Sequence, residues 1–211
     1  ELQLAQTREQ AMGNEQLLEN LIMPLKTSGK IGLTGVAQLL PTDAGWFQRT
    51  CAREIPRALS AVVDELTDSD MVATMCLAIS RDLFFFIGKM NDWVLAGVDP
   101  DLRYRVREAG YRVVVVPQAW AYHPAPESLF GLVRYAFKKG GYTAWQYRFA
   151  RDLMYDCPEG HTAEFRAQTT LLYRVLRKAG RIFKEALKLR PLGLFYDLSY
   201  IVGYAYGSVR R

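Results

Sequence analysis

Asp99 and Asp101 stand on either side of Pro100, with Trp93 shortly before them and His123 after, and these side chains are the ones best suited to chemistry. A carboxylate so placed can take a proton from a hydroxyl, or it can cap a helix. An imidazole can ligate a divalent cation or hydrogen-bond to nearby backbone. A loop indole can stack on a sugar ring or simply pack. On residue types alone both uses of each group stay open. His161, the other histidine, sits in a polar stretch with no partner nearby in sequence. No glycine-rich phosphate loop, nucleophile elbow or zinc-ligand spacing is present in the sequence.

The elements that must position these groups lie in residues 97–117. Asp99 has the profile of an N-cap and Pro100 that of a first helical residue, where its missing N–H costs nothing. Leu102, Val106 and Ala109 recur on one helical face, and Gly110 suits a left-handed C-terminal residue. Val113 to Val116 form an unbroken β-branched run that ends at Pro117. A strand apolar on both sides is usually covered on both, as in the sheet of an α/β domain. The expectation is a carboxylate at the mouth of a helix that leads straight into a central strand.

This stretch resembles the acidic motif of glycosyltransferase family 2, Gly-Glu-Asp-x-Asp-Leu followed by an Arg and Gly-Tyr-Arg-Val; here Val98 replaces the Glu. Upstream, Met75 to Phe84 with Ile87-Gly88 is similar to the family's strand and its Arg-Arg-x-x-Phe-x-x-Val-Gly-Gly segment. Downstream, Pro117 to Pro124 is similar to its Pro-x-Ala-x-Val-x-His ending. The resemblance covers residues 30–145 and implies an α/β fold, part of the Rossmann-like GT-A domain. It implies that Asp99 is the general base of an inverting sugar transfer. It implies that His123 assists at a divalent metal (Mn²⁺ or Mg²⁺) or at the donor diphosphate, with Asp101, Arg105 and Trp93 as acceptor or support residues. Asp101 is expected in the first turn, favouring the helix dipole. Asp68-Ser69-Asp70 spells the family's metal motif, Asp-x-Asp, but lies too close to Asp99 and reads as a decoy. The genuine motif and the nucleotide-binding half would lie upstream of Glu1. Trp145 to Phe149 is similar to the Gln-x-x-Arg-Trp of processive members but has the wrong spacing.

A chain of 211 residues, half of them apolar, can bury a core. Its net charge of +5 is uneven: residues 1–133 hold 12 Lys/Arg against 16 Asp/Glu, and residues 134–211 hold 15 against 6. Cys51, Cys76 and Cys157, odd in number and without a C-x-x-C pair, fit a reducing compartment. Residues 1–12 are polar and could extend a helix. The pattern predicts a helix from Asn14 to Pro24 or a little beyond, and a strand over 31–36. Helix follows over 46–63, interrupted at Pro56, and then an apolar run over 71–79. A helix over 129–137 should close at Lys138-Lys139-Gly140-Gly141. A polar loop follows at 151–163, then one basic helix over 164–190 and an apolar segment at 192–207 that is short for a membrane span.

Two parts are therefore expected: residues 1–150, the C-terminal part of a GT-A domain without its donor-binding half, and residues 151–211, a basic amphipathic extension. The expected activity is transfer from a nucleotide-sugar donor to a hydroxyl of a glycan or lipid-linked acceptor, by an enzyme incomplete in this chain. The alternative is a non-catalytic membrane-surface or partner-binding module that retains half of the fold. The basic tail is expected to meet an anionic membrane surface from the cytoplasmic side, or else to pack on the domain. No element that would read or stack on nucleic acid is identifiable.

Overall fold

The structure is a computed structural model that describes residues 16–55, 59–95, 97–154 and 170–209. The element order is α1 (Leu17–Thr27), β1 (Ile31–Leu39), α2 (Trp46–Glu54), β2 (Thr67–Asp68), β3 (Leu77–Ile79) and α3 (Arg81–Phe86). Then follow α4 (Val98–Glu108), β4 (Arg112–Tyr122), α5 (Leu129–Phe149), a 3₁₀ turn (Arg151–Leu153), α6 (Leu171–Leu187) and α7 (Pro191–Val209). Expectations for residues 1–12, Asn14, Pro56, Cys157, His161 and 164–169 lie outside the described residues.

The chain is mixed α/β. Its sheet runs β2-β4-β1-β3, with β1 and β4 parallel and the two short edge strands antiparallel to them. The valine run is central, as its composition demands. Val113 and Val115 pack with Leu33, Leu102 and Val106 under α4, while Val116 and Val36 pack with Leu17 and Leu21 under α1. Thr34 is fully buried, and its hydroxyl donates to Leu21 O at 2.8 Å, tying α1 to the sheet.

β4 does not stop at Pro117. Opposite Gly35 and Ala37 of β1 it runs from Val115 to Trp120, a bulge in which Gln118 takes φ 50°. Pro117 is tolerated there because a bulge needs no ladder donor from it. Residues 59–63 are not helical. Ser60 N donates to Gln38 O at 3.0 Å, and Gln118 N donates to Val63 O at 2.9 Å, so this segment serves the ends of the sheet instead.

α5 runs straight through Gly140 and Gly141, where the sequence suggests a stop. The reason is tertiary: a Cβ on Gly140 would fall 2.1 Å from Tyr200 O, and one on Gly203 would fall 2.0 Å from Phe137 O. α5 and α7 thus meet backbone to backbone. Leu192 and Tyr196 of α7 also share a core with Cys51, Leu132 and Ala136, so the end of the chain packs on residues of the first part. Burial, with Glu54 as the lesser cause, pushes the Cys51 thiol up to about 11.

Candidate active site

α4 begins two residues earlier than its sequence suggests. Gly97, left-handed at φ 91°, occupies the N-cap, so Asp99 is not the cap and Pro100 is not the first helical residue. Asp99 stands in the first turn, half-buried, and its Oδ1 accepts the backbone N–H of Thr74 at 2.6 Å. The helix rises about 15 Å over its length. α4 turns back into β4 at Gly110.

The same face of α4 carries two more ties. Arg103, 2% exposed, donates to Val72 O, and Arg107 pairs with the buried Asp70. Asp99, Arg103 and Arg107 recur every four residues, so they line one face. Residues 70–74 therefore run antiparallel to α4 and are fixed at three points, which leaves only Leu77–Ile79 of the expected apolar run as strand.

Asp101 stands in the first turn of α4, as expected, and is 1% exposed. Arg105 grips it through Nε at 3.0 Å and Nη2 at 2.7 Å, and donates Nη1 to Ile87 O at 2.6 Å and Lys89 O at 2.7 Å. Arg105 is thus a support residue that holds the 87–89 turn to the helix.

Trp93 is 63% exposed, and its indole lies against that of Trp145 with centroids 6.2 Å apart and planes 13° from parallel. Phe149 continues the cluster, its ring centroid 5.2 Å from that of Trp145. Sequence reasoning set Trp145 aside with the mismatched Gln-x-x-Arg-Trp; its contribution depends on α5 running past Gly141. Gln146, in that same stretch, is buried and donates to Leu153 O at 2.7 Å.

His123 follows directly on β4, its backbone N–H donating to Leu39 O at 2.7 Å, with its side chain exposed. It therefore stands at the carboxyl edge of the two parallel strands, the edge where ligands gather in open α/β sheets. Among the described residues no three His, Cys, Asp or Glu side chains converge as a metal-ligand set. A lone imidazole does not hold a catalytic metal by itself, so no step is derived through one. Both decoy carboxylates are engaged: Asp68 takes Arg112 at 3.1 and 2.8 Å, and Asp70 takes Arg107. An open cleft of about 420 Å³ lies at the other end of the sheet, beside Ile31, Leu83 and Tyr111, away from Asp99.

The chain matches no protein-family model, no curated protein and no solved structure.

Proposed function

We propose that the chain is the acceptor-side part of an inverting GT-A glycosyltransferase of the family 2 type. The observation that carries this is Asp99, a carboxylate fixed by the Thr74 N–H in a helix first turn, with Trp93, six residues upstream, stacked on Trp145 of α5 as an aromatic shelf. An acceptor sugar stacked on that shelf would present a hydroxyl for Asp99 to deprotonate. The hydroxyl oxygen forms its bond to the donor's anomeric carbon from the face opposite the phosphate. The anomeric carbon–oxygen bond breaks, the nucleoside diphosphate leaves, and the proton stays on Asp99. The donor is a nucleotide sugar; the acceptor is a glycan or a lipid-linked hydroxyl, the latter going with a place on the cytoplasmic face of a membrane. A divalent metal would neutralise the leaving diphosphate. Among the described residues His123 is the ligand the chain would offer it, and the others would come from a donor half.

Asp99→Asn in an enzyme that carries the donor half tests this reading. Asn can still accept from Thr74, so the fold should hold. Turnover should fall about 10²–10⁴-fold with donor KM unchanged. Near-normal turnover would leave Asp99 a tether for Thr74 and favour the non-catalytic module.

A further inference from the structure

α6 is built inside out. Lys178, Arg181 and Glu185 face α7, where Lys178 Nζ lies 2.6 Å and Arg181 Nε 3.1 Å from the two oxygens of Asp197, a carboxylate with no exposure. The opposite face carries Leu172, Leu176, Phe183 and Leu187, each at least 62% exposed. On α7, Phe195, Leu198 and Val202 are each at least 46% exposed. Lys184 and Lys188 are exposed along one flank of the α6 stripe, on the same side as Arg177. No described helix is long and apolar enough to cross a membrane.

We propose that α6 lies in the plane of an anionic phospholipid surface, its apolar stripe entering the acyl boundary and its lysine flank meeting phosphate headgroups. The inference rests on the membrane placement proposed above but not on the transfer chemistry.

Charge favours lipid over a second copy of this chain. Over residues 170–209 the only acidic residues are Glu185 and Asp197, and both are buried. A symmetric partner would set the same cations against one another with no exposed acid to answer them. An anionic headgroup layer supplies that answer, at about a fivefold gain in binding for each lysine near the surface. An apolar stripe beside a cationic flank is also the pattern of in-plane helices.

Flotation of the full chain with vesicles of phosphatidylcholine, and of phosphatidylcholine mixed with phosphatidylglycerol, tests the proposal. Wild type should float with the mixed vesicles and be released by salt. Lys184→Gln with Lys188→Gln should weaken binding about fivefold for each charge removed. Leu176→Glu with Phe183→Glu should cost at least about tenfold, with an unchanged circular dichroism spectrum because both side chains already stand outside the core. Equal recovery on both vesicles without salt sensitivity would overturn the proposal, as would undiminished binding by the double Glu variant. So would a lipid-free dimer that the Glu variant dissociates, which would assign the face to a second copy. Asp99→Asn should float like wild type, so loss of transfer and loss of membrane binding are separate outcomes.

Discussion

α4 and α6 are both amphipathic and both rich in arginine, yet they are oriented in opposite ways. α4 buries Leu102 and Val106 in the sheet core and uses charged side chains beside that face to hold residues 70–74 and 87–89. α6 turns Lys178, Arg181 and Glu185 toward α7, keeps Lys184 and Lys188 exposed on a flank, and leaves its leucines outside. Lys178 shows what this costs: burial draws its pKa below the ordinary lysine value, although the Asp197 carboxylate pulls it back up. In water a helix gains by hiding its apolar stripe. A helix that shows its leucines beside exposed lysines is what the proposed lipid surface would cover.

The largest effect should come where that contrast is starkest. Leu102 is 2% exposed, and Leu102→Ala should cost about 2–5 kcal/mol in a urea titration. A smaller cost would show that α4 is not the apolar lid of the sheet. Asp197→Asn comes next. It removes the one carboxylate shared by Lys178 and Arg181, whose side chains are 23% and 21% exposed. Breaking a buried pair costs about 3–5 kcal/mol, and the partial exposure of both cations brings the expected loss to about 2–3 kcal/mol. An unchanged midpoint would mean that the Asp197 pairs do not hold α6 on α7.

Much of the body was legible because its signals are local. Gly110 ends α4 in the left-handed region at φ 84°, and the valine run forms the buried centre of the sheet. The ties that fix the candidate site are not local. Asp70 meets Arg107 across 37 residues and Thr74 meets Asp99 across 25, and a periodicity argument sees neither. Gly140-Gly141 misled for a related reason: the glycines that look like a stop are the ones that let α7 touch the α5 backbone. The basic, amphipathic character of α6 was visible, but which side faces the protein was not. That depends on Asp197, a single acid in an otherwise apolar helix.

The smallest expected effect is the most telling one for the comparison. Leu176 is 62% exposed, so truncating it removes little buried surface in the folded chain. Leu and Ala also differ little in helix propensity. In lipid-free buffer Leu176→Ala should therefore shift stability by no more than about 0.5 kcal/mol, the ordinary range for a surface site. The same substitution at Leu102 removes the same atoms from the other helix, so the ratio of the two losses isolates orientation from residue type. Each measurement is a denaturant midpoint at a common slope. If Leu176→Ala costs as much as Leu102→Ala, the α6 stripe is already covered in solution, by a second copy or by residues outside the described ones, and the inside-out orientation of α6 fails. If the cost is near zero in buffer but appears when anionic vesicles are added, the surface that covers the stripe is the lipid itself.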